Sequence, residues 1–390
     1  MEDFQDILPR DSFVPDRRLG PGTAEKIHEA LNKAWKCKPG VRHSVAPTPV
    51  QLTRESLEWF ATEPYVVAEK TDGQRLLLFL TTAPGYPTAV FVDRKRGFTQ
   101  VRCKAPASYY RLTGTLLDGE LVGNKFIVFD VVASRGCFLH NRNYLARLQE
   151  AQKLIKGEAD GEESAATLLA GAENFGIDGL KLSTKEVYLL SDFERLLKKL
   201  EGLDHPSDGL VYTPINCKIQ MGSHPLILKY KEKPTADLTY LPGSDGSYTL
   251  HWNAAGEQDP SDTILRAPEG YSVVVSRMPP LPAHLRSASV VLEFAVRLNT
   301  DTKTFVLSFH KSREHEKQRP NHINTVKAIF KEVLEGITLN ELGLVAMRTS
   351  DTVYPKPMES GQLRKREMGE LNFMEERVAP KLKKKHPAVK

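Results

Sequence analysis

Lys70 sits in "YVVAEKTDGQRLLLFL", residues 65–80, where two apolar runs flank Glu69, Lys70, Thr71, Asp72, Gly73 and Arg75. Apolar walls pack the lysine stem and pin its amine. Neutral amines are nucleophiles, and lysine sheds its proton readily when desolvated or set beside other cations. Arg75 carries a fork that suits phosphate or carboxylate oxygens. A charged hairpin tip is the plainer reading, but it predicts nothing for the rest of the chain. Further polar knots occur at or inside apolar runs: Asp118 and Glu120 in "LLDGELV", Asp130 in "IVFDVV", Asp208 ahead of "GLVY", and Lys229 with Lys231 in "LILKYK". Alternation along a strand puts those two lysine amines on one face. A charge inside a strand is costly unless paired or functional. Any one knot is open to a structural ion pair. The set points to carboxylates that hold a hard cation and to lysines that face phosphate oxygens. The chain has no Walker A loop and no GxGxxG, so side chains must hold the phosphates.

The surrounding elements would position these groups. "TAEKIHEALNKAW" puts Ile27, Ala30, Leu31 and Ala34 on one helical face. In "PTPVQLTRESLEWF", Thr53 reads as an N-cap, and Leu57 and Phe60 open an apolar stripe. The runs "YVVAE", "RLLLFL", "TAVFVDR", "GTLLDGELV" and "KFIVFDVVA", split by turn residues, predict antiparallel sheet. "NRNYLARLQEAQKLI" predicts a helix, and "SDFERLLKKLEGL" a helix opened by Ser191. Acidic "KGEADGEESAATLLAGAE" reads as a surface insertion. Past Pro234 the strands shorten and turn residues crowd, as in a small β-barrel. "PNHINTVKAIFKEVLEGI" predicts a helix with Ile323, Val326, Ile329, Phe330 and Val333 on one face.

A chain of 390 residues predicts two domains. Its 40% hydrophobic and 26% charged shares are those of a soluble globular protein. No run is long enough to span a bilayer, and the N-terminus is acidic, unlike a signal peptide, so no membrane association is expected. The four cysteines lie far apart with no zinc-ligand spacing and read as reduced thiols. Net charge is +5, and residues 345–390 hold eleven Lys/Arg against six Asp/Glu, which accounts for the excess. Such a tail suits RNA phosphates or a nuclear address, with a solvated tail as the plainer reading. The expected compartment is the nucleus, with the cytoplasm as the alternative.

"EKTDGQR" resembles the KxDGxR motif of the covalent nucleotidyltransferases, the superfamily of mRNA capping guanylyltransferases and ATP-dependent DNA and RNA ligases. "DGE" (Asp118–Glu120), "FD" (Phe129–Asp130), "DGLV" (Asp208–Val211) and "LKYK" (Leu228–Lys231) follow in the family's order. "PTPVQLTRESLEWF", "RNYLARLQ" and "PTAD" are similar to the guanylyltransferase branch in particular. The resemblance implies an α+β fold: an ATP-grasp-like, ligase-type nucleotidyltransferase domain of antiparallel sheets over residues 1–236, then an OB-fold barrel over 237–321. A helix over 322–345 would pack back on the body, with a basic, partly disordered tail over 346–390.

The resemblance also implies a reaction. Lys70 would take GMP from GTP and pass it to the 5′-diphosphate end of RNA, with Mg²⁺ or Mn²⁺ on the phosphates. Asp72, Arg75 and Arg94 would position ribose and phosphates, and Glu120 would contact the ribose. Phe129 and Val211 would sandwich the guanine, and Lys181 would read its O6. Lys229 and Lys231 would grip the α-phosphate, and their charge would favour loss of the Lys70 proton. Asp208, with Glu120, would hold the metal. Asp237 matches the aspartate that follows the lysine pair. The family's R-x-D-K barrel motif is altered to "SREHEKQRPN"; Arg313 and Lys317 would serve the β- and γ-phosphates, with Arg313 one residue too far upstream. The phosphatase loop HCxxGxxR and a methyltransferase fingerprint are absent from this sequence. RNA triphosphatase and cap methyltransferase activities are therefore expected on other chains, with the RNA polymerase II tail as a further partner. An ATP-dependent polynucleotide ligase and a non-catalytic RNA-binding protein of the same fold are the alternatives.

Overall fold

The computed structural model describes residues 19–37, 46–111, 113–157, 175–245, 247–253, 263–276, 278, 289–314 and 319–353. Three sheets organise them. The first has the order β1 (Pro47–Gln51), β14 (Gly222–Tyr230), β13 (Ser207–Pro214), β2 (Tyr65–Thr71), β12 (Tyr188–Leu189). The second runs β11 (Lys181–Thr184), β8 (Lys125–Ser134), β7 (Thr115–Val122), β3 (Gln74–Thr81), β4 (Thr88–Val92), β5 (Phe98–Val101), with β9 (Cys137–Phe138) on β8. A short pair joins β6 (Cys103–Lys104) to β10 (Gly176–Ile177). Most pairs are antiparallel, as the short runs split by turn residues predict. β1 on β14 and β11 on β8 are parallel. Each joins segments far apart in the chain, and a parallel pair needs such a long crossover.

The run "RLLLFL" is apolar without alternation because its sheet is buried on both faces. Leu76, Leu78 and Leu80 pack with Ala151 and Leu154 of helix α3 (Tyr144–Lys156). Leu77 and Phe79 pack with Ile27, Leu31 and Ala34 of helix α1 (Pro21–Ala34). Thr53 caps the short helix α2 (Arg54–Leu57) through a capping box with Ser56. Helix α4 (Phe193–Leu200) begins after Asp192, so Ser191 is not its cap; Ser191 lies in a preceding 3₁₀ turn.

The third sheet runs β16 (Tyr248–His251), β15 (Thr235–Pro242), β18 (Val290–Asn299), β19 (Thr304–Ser312), β17 (Ser272–Val275). The described strands form a half-barrel, part of the way to the OB-fold barrel expected. Among the described residues no ladder joins its edges, β16 and β17, and β17 pairs with β19 in parallel. Helix α5 (Ile323–Glu335) supplies the burial that closure would otherwise provide: Val326, Ile329 and Phe330 pack with Leu238, Leu292, Phe294 and Phe305. The C-terminal helix expected over 322–345 is two helices, turned at left-handed Gly336. The second, α6 (Leu339–Val353), returns to the first sheet, where Leu342 and Ala346 pack with Phe60, Leu190 and Phe193. The acidic insertion, save its first two residues, and the tail from residue 354 lie outside the described residues.

Candidate active site

β2 pairs with β13 and β12, whereas β3 pairs with β7 and β4. The Glu69–Arg75 segment is therefore a crossover between two sheets, not a hairpin tip, and it opens into the cleft that both sheets line. Gly73 permits the crossover: a Cβ there would meet Leu121 O at 2.5 Å. Asp208 holds two lysines across this cleft. Its Oδ1 accepts from Lys70 Nζ at 2.5 Å, and its Oδ2 lies 2.6 Å from Lys231 Nζ. Gly209 makes that spacing reachable, because a Cβ would fall 1.9 Å from Tyr230 O; only glycine lets the backbones approach so closely. Burial works against the Asp208 charge, but Lys70 and Lys231 outweigh it and hold the carboxyl below its ordinary range. Lys229 lines the same wall, and burial, then Lys231 and Lys70, push its amine down. On the facing sheet burial raises the Glu120 carboxyl, with Lys70, Arg75 and Arg94 offsetting only part.

Two of the polar knots are ion pairs inside the protein. Arg75 Nε and Nη2 donate to Asp118 Oδ1 and Oδ2 at 2.9 and 2.5 Å, and Nη1 donates to Pro47 O at 2.6 Å. The Arg75 guanidinium also lies 5.1 Å from the Phe129 ring centroid. It lines the cleft, but its fork is committed to Asp118 and not open to a phosphate. Arg147 meets Asp130 in the same way, at 2.7 and 3.0 Å, and ties α3 to β8. Asp72 and Arg94 stand exposed at the cleft rim. The Arg94 turn is shaped by Asp93 Oδ1, which accepts from Lys95 and Gly97 N–H at 2.7 Å each. Arg96 Nη1, donating to Asn32 Oδ1 at 2.8 Å, clamps it to α1.

Val211 and Phe129 line the cleft from opposite sheets. Lys181 does not join them. It is exposed on the edge strand β11, outside the cleft lining. Lys185 is there instead. After Thr184 the chain leaves the second sheet, and by Tyr188 it has joined the first, so Lys185 falls between them. Its N–H donates to Val128 O at 2.7 Å. Its amine donates to Glu69 Oε1 and Thr71 Oγ1, and His205 Nε2 stands 3.0 Å from Glu69 Oε1. Burial opposes the Glu69 charge, but Lys185, His205 and Thr71 hold its carboxyl low. Lys185 escaped the sequence reading; its only signal was a second lysine where "LKLST" stops being strand.

A family model described as the mRNA capping enzyme, catalytic domain, matches residues 15–233. The chain belongs to the mRNA capping enzyme family. By that membership it is an mRNA guanylyltransferase. Relatives named mRNA-capping enzyme subunit alpha are similar to it. The Schizosaccharomyces pombe protein is 24% identical over 341 residues, 75% of this chain and 77% of that one. The Neurospora crassa protein is 30% identical over 246 residues, 57% of this chain and 58% of that one. Among solved structures, a mycobacterial DNA ligase D complexed with ATP and MES aligns at a TM-score of 0.35 and 16% identity, over 70% of this chain and 96% of that one.

The half-barrel gives this capping-family cleft its remaining wall. Asp237 and Arg313 line it. Arg313 Nη1 donates to Glu293 Oε2 at 3.1 Å, and its Nε lies 3.9 Å from Asp237 Oδ1. Lys317 lies outside the described residues. From α5, Glu332 also reaches the cleft. Burial pushes its carboxyl up to about 7, with Lys229 and Lys231 among the groups that pull it back. Among the described residues no three His, Cys, Asp or Glu side chains form a metal cage. Glu120 and Asp208 do face one cleft, which fits a hard divalent cation held by one or two carboxylates and substrate phosphates.

Proposed function

We propose that Lys70 attacks the α-phosphate of GTP, forming a nitrogen–phosphorus bond and expelling pyrophosphate. A terminal phosphate oxygen of 5′-diphosphate RNA then breaks that bond and takes the GMP, leaving the 5′–5′ cap linkage and a free amine. The observation that carries this reading is Asp208 between Lys70 and Lys231, in a cleft shared with Lys229 and Glu120. Asp208 Oδ1, 2.5 Å from the amine, holds it in place, and the charges of Lys229 and Lys231 favour loss of its proton before it attacks. Lys229 and Lys231 offer fixed positive charge to the α-phosphate as charge builds there. Asp72, Arg94 and Glu120 position ribose and phosphates. Phe129 and Val211 sandwich the base, and Lys185, not Lys181, donates to guanine O6. A magnesium or manganese ion held by Glu120 and Asp208 would supply neutralising charge on the phosphates.

The half-barrel supports an OB-type lid that brings Asp237, Arg313 and Lys317 toward the β- and γ-phosphates. Primary transcripts end in a triphosphate, so an RNA triphosphatase must act first; the relatives' designation as subunit alpha supports a companion chain for it. A cap methyltransferase would consume the product, and the polymerase tail would bring the machinery to nascent RNA in the nucleus. The test is incubation with radiolabelled GTP or ATP and magnesium. GTP should give a covalent adduct that survives alkali and a denaturing gel, is cleaved by acid, and is abolished by Lys70→Ala. An adduct from ATP alone, or one that survives Lys70→Ala, would overturn the reading.

A further inference from the structure

Glu69 has one crowded carboxylate oxygen and one bare one. Oε1 accepts from Lys185 and from Thr71, and His205 Nε2 stands 3.0 Å away. Oε2 is buried and meets no hydrogen-bond partner among the described residues. The side chain is only 8% exposed, yet the residue lines the nucleotide cleft. A buried, ionised oxygen without a donor is costly, so a ligand donor is its natural complement.

The position says which part of the ligand. Ala68, just before Glu69, pairs with Val211. Lys185 hangs by its N–H from Val128, just before Phe129. Glu69 itself pairs with Leu210, so the Glu69–Lys185 pair bridges the two sheets beside the strands that carry Val211 and Phe129. A lysine ammonium has three N–H groups; Glu69 and Thr71 take two of those on Lys185, which leaves one for a cleft acceptor. An ammonium donor beside a carboxylate acceptor complements guanine, whose edge offers O6 as acceptor and a 2-amino donor. Adenine has a donor in place of O6 and no 2-amino group.

We propose that Glu69 Oε2 accepts a hydrogen bond from the guanine 2-amino group and thereby sets the choice of GTP among purine nucleotides. The proposal rests on the reading of the cleft as a GTP site. It makes a particular claim about Glu69→Gln. Lys185 and Thr71 are donors, so they hold the amide oxygen in the place of Oε1. The amide nitrogen then stands where Oε2 was. That donor opposes the 2-amino group of guanine and matches the 2-oxo group of xanthine.

The experiment measures adduct formation rates on the full chain with radiolabelled GTP, inosine triphosphate and xanthosine triphosphate. Inosine triphosphate lacks the 2-amino group, and the unaltered protein should use it about tenfold or more slowly than GTP. Glu69→Gln should slow GTP by a similar factor and invert the order, with xanthosine triphosphate faster than GTP. Equal rates for GTP and inosine triphosphate would overturn the contact even if Glu69→Gln failed to fold. A folded Glu69→Gln that still prefers GTP to xanthosine triphosphate would overturn it as well. No adduct from the unaltered protein with any nucleotide would bring down the guanylyl-transfer reading, and this inference with it.

Discussion

Asp208 sets its two oxygens against two different lysines, and the position of the Lys70 amine depends on that bridge. Its carboxyl titrates below the ordinary 3.8. The stabilisation it contributes is therefore fully present above that value and is lost as pH falls through the folded one. Asp208→Asn should cost about 1 kcal/mol in urea unfolding at neutral pH, and the two proteins should converge in acid. Lys70→Arg should leave the unfolding midpoint in place and abolish the adduct, since a guanidinium is not a neutral nucleophile near pH 7. Asp118→Ala should do the reverse to the fold: it strands the Arg75 charge in the core, and breaking a buried pair costs about 3–5 kcal/mol. A loss under about 1 kcal/mol would mean that Arg75 finds another partner. Sequence alone did not separate these cases. Asp118, Asp130 and Asp208 are all carboxylates at apolar strands. What divides them is the partner, which for Asp118 lies 43 positions away.

β2 and β3 are consecutive in sequence yet belong to different sheets, and that divergence puts Lys70 in a cleft. A two-strand hairpin would have displayed it to solvent. Close strand approach at Gly209 is part of the same device. Gly209→Ala should push β13 from β14, move Asp208 away from Lys231, and lower adduct formation at least about tenfold. Helix α5 adds Glu332 to the cleft wall that carries Lys229 and Lys231. Its carboxyl is raised from 4.5 to about 7 in the folded protein. The folded state then binds a proton more tightly than the unfolded chain, so stability should fall as pH rises between those values. Thermal midpoints should show that loss in the unaltered protein and little of it in Glu332→Gln. An equal pH response in both proteins would remove Glu332 as its source.

The cleft measures about 2640 Å³, against about 300–1,000 Å³ for an ordinary small-molecule site. It is larger than a nucleotide fills, which leaves room for an RNA end or for closure of the half-barrel. The C-terminal helices strap the halves together. α5 packs on the half-barrel and α6 on the first sheet, and Arg54 binds Glu335 O at 2.9 Å and Glu341 at 2.6 Å. The Arg54–Glu341 ion pair is exposed on both sides, so Arg54→Ala should cost no more than about 1 kcal/mol. The apolar contacts of α6 carry most of the strap. Ending the chain after Val353 removes the dense basic runs. Adduct formation with GTP should persist, while RNA retention on a filter should weaken and lose part of its salt dependence. Loss of the adduct instead would mean that the tail packs on the enzyme.

The sequence by itself determined the motif order around Lys70, the apolar runs that become strands and the stripe that becomes α5. Each of these is local: residue type, spacing and period carry it. Only the tertiary structure decided that "EKTDGQR" crosses between sheets, that Arg75 belongs to Asp118, that Lys185 and not Lys181 enters the cleft, and that a helix covers the described strands of the last sheet. These depend on which distant segments pair. Two residues of the same charge in the same strand pattern look identical until the fold supplies their neighbours.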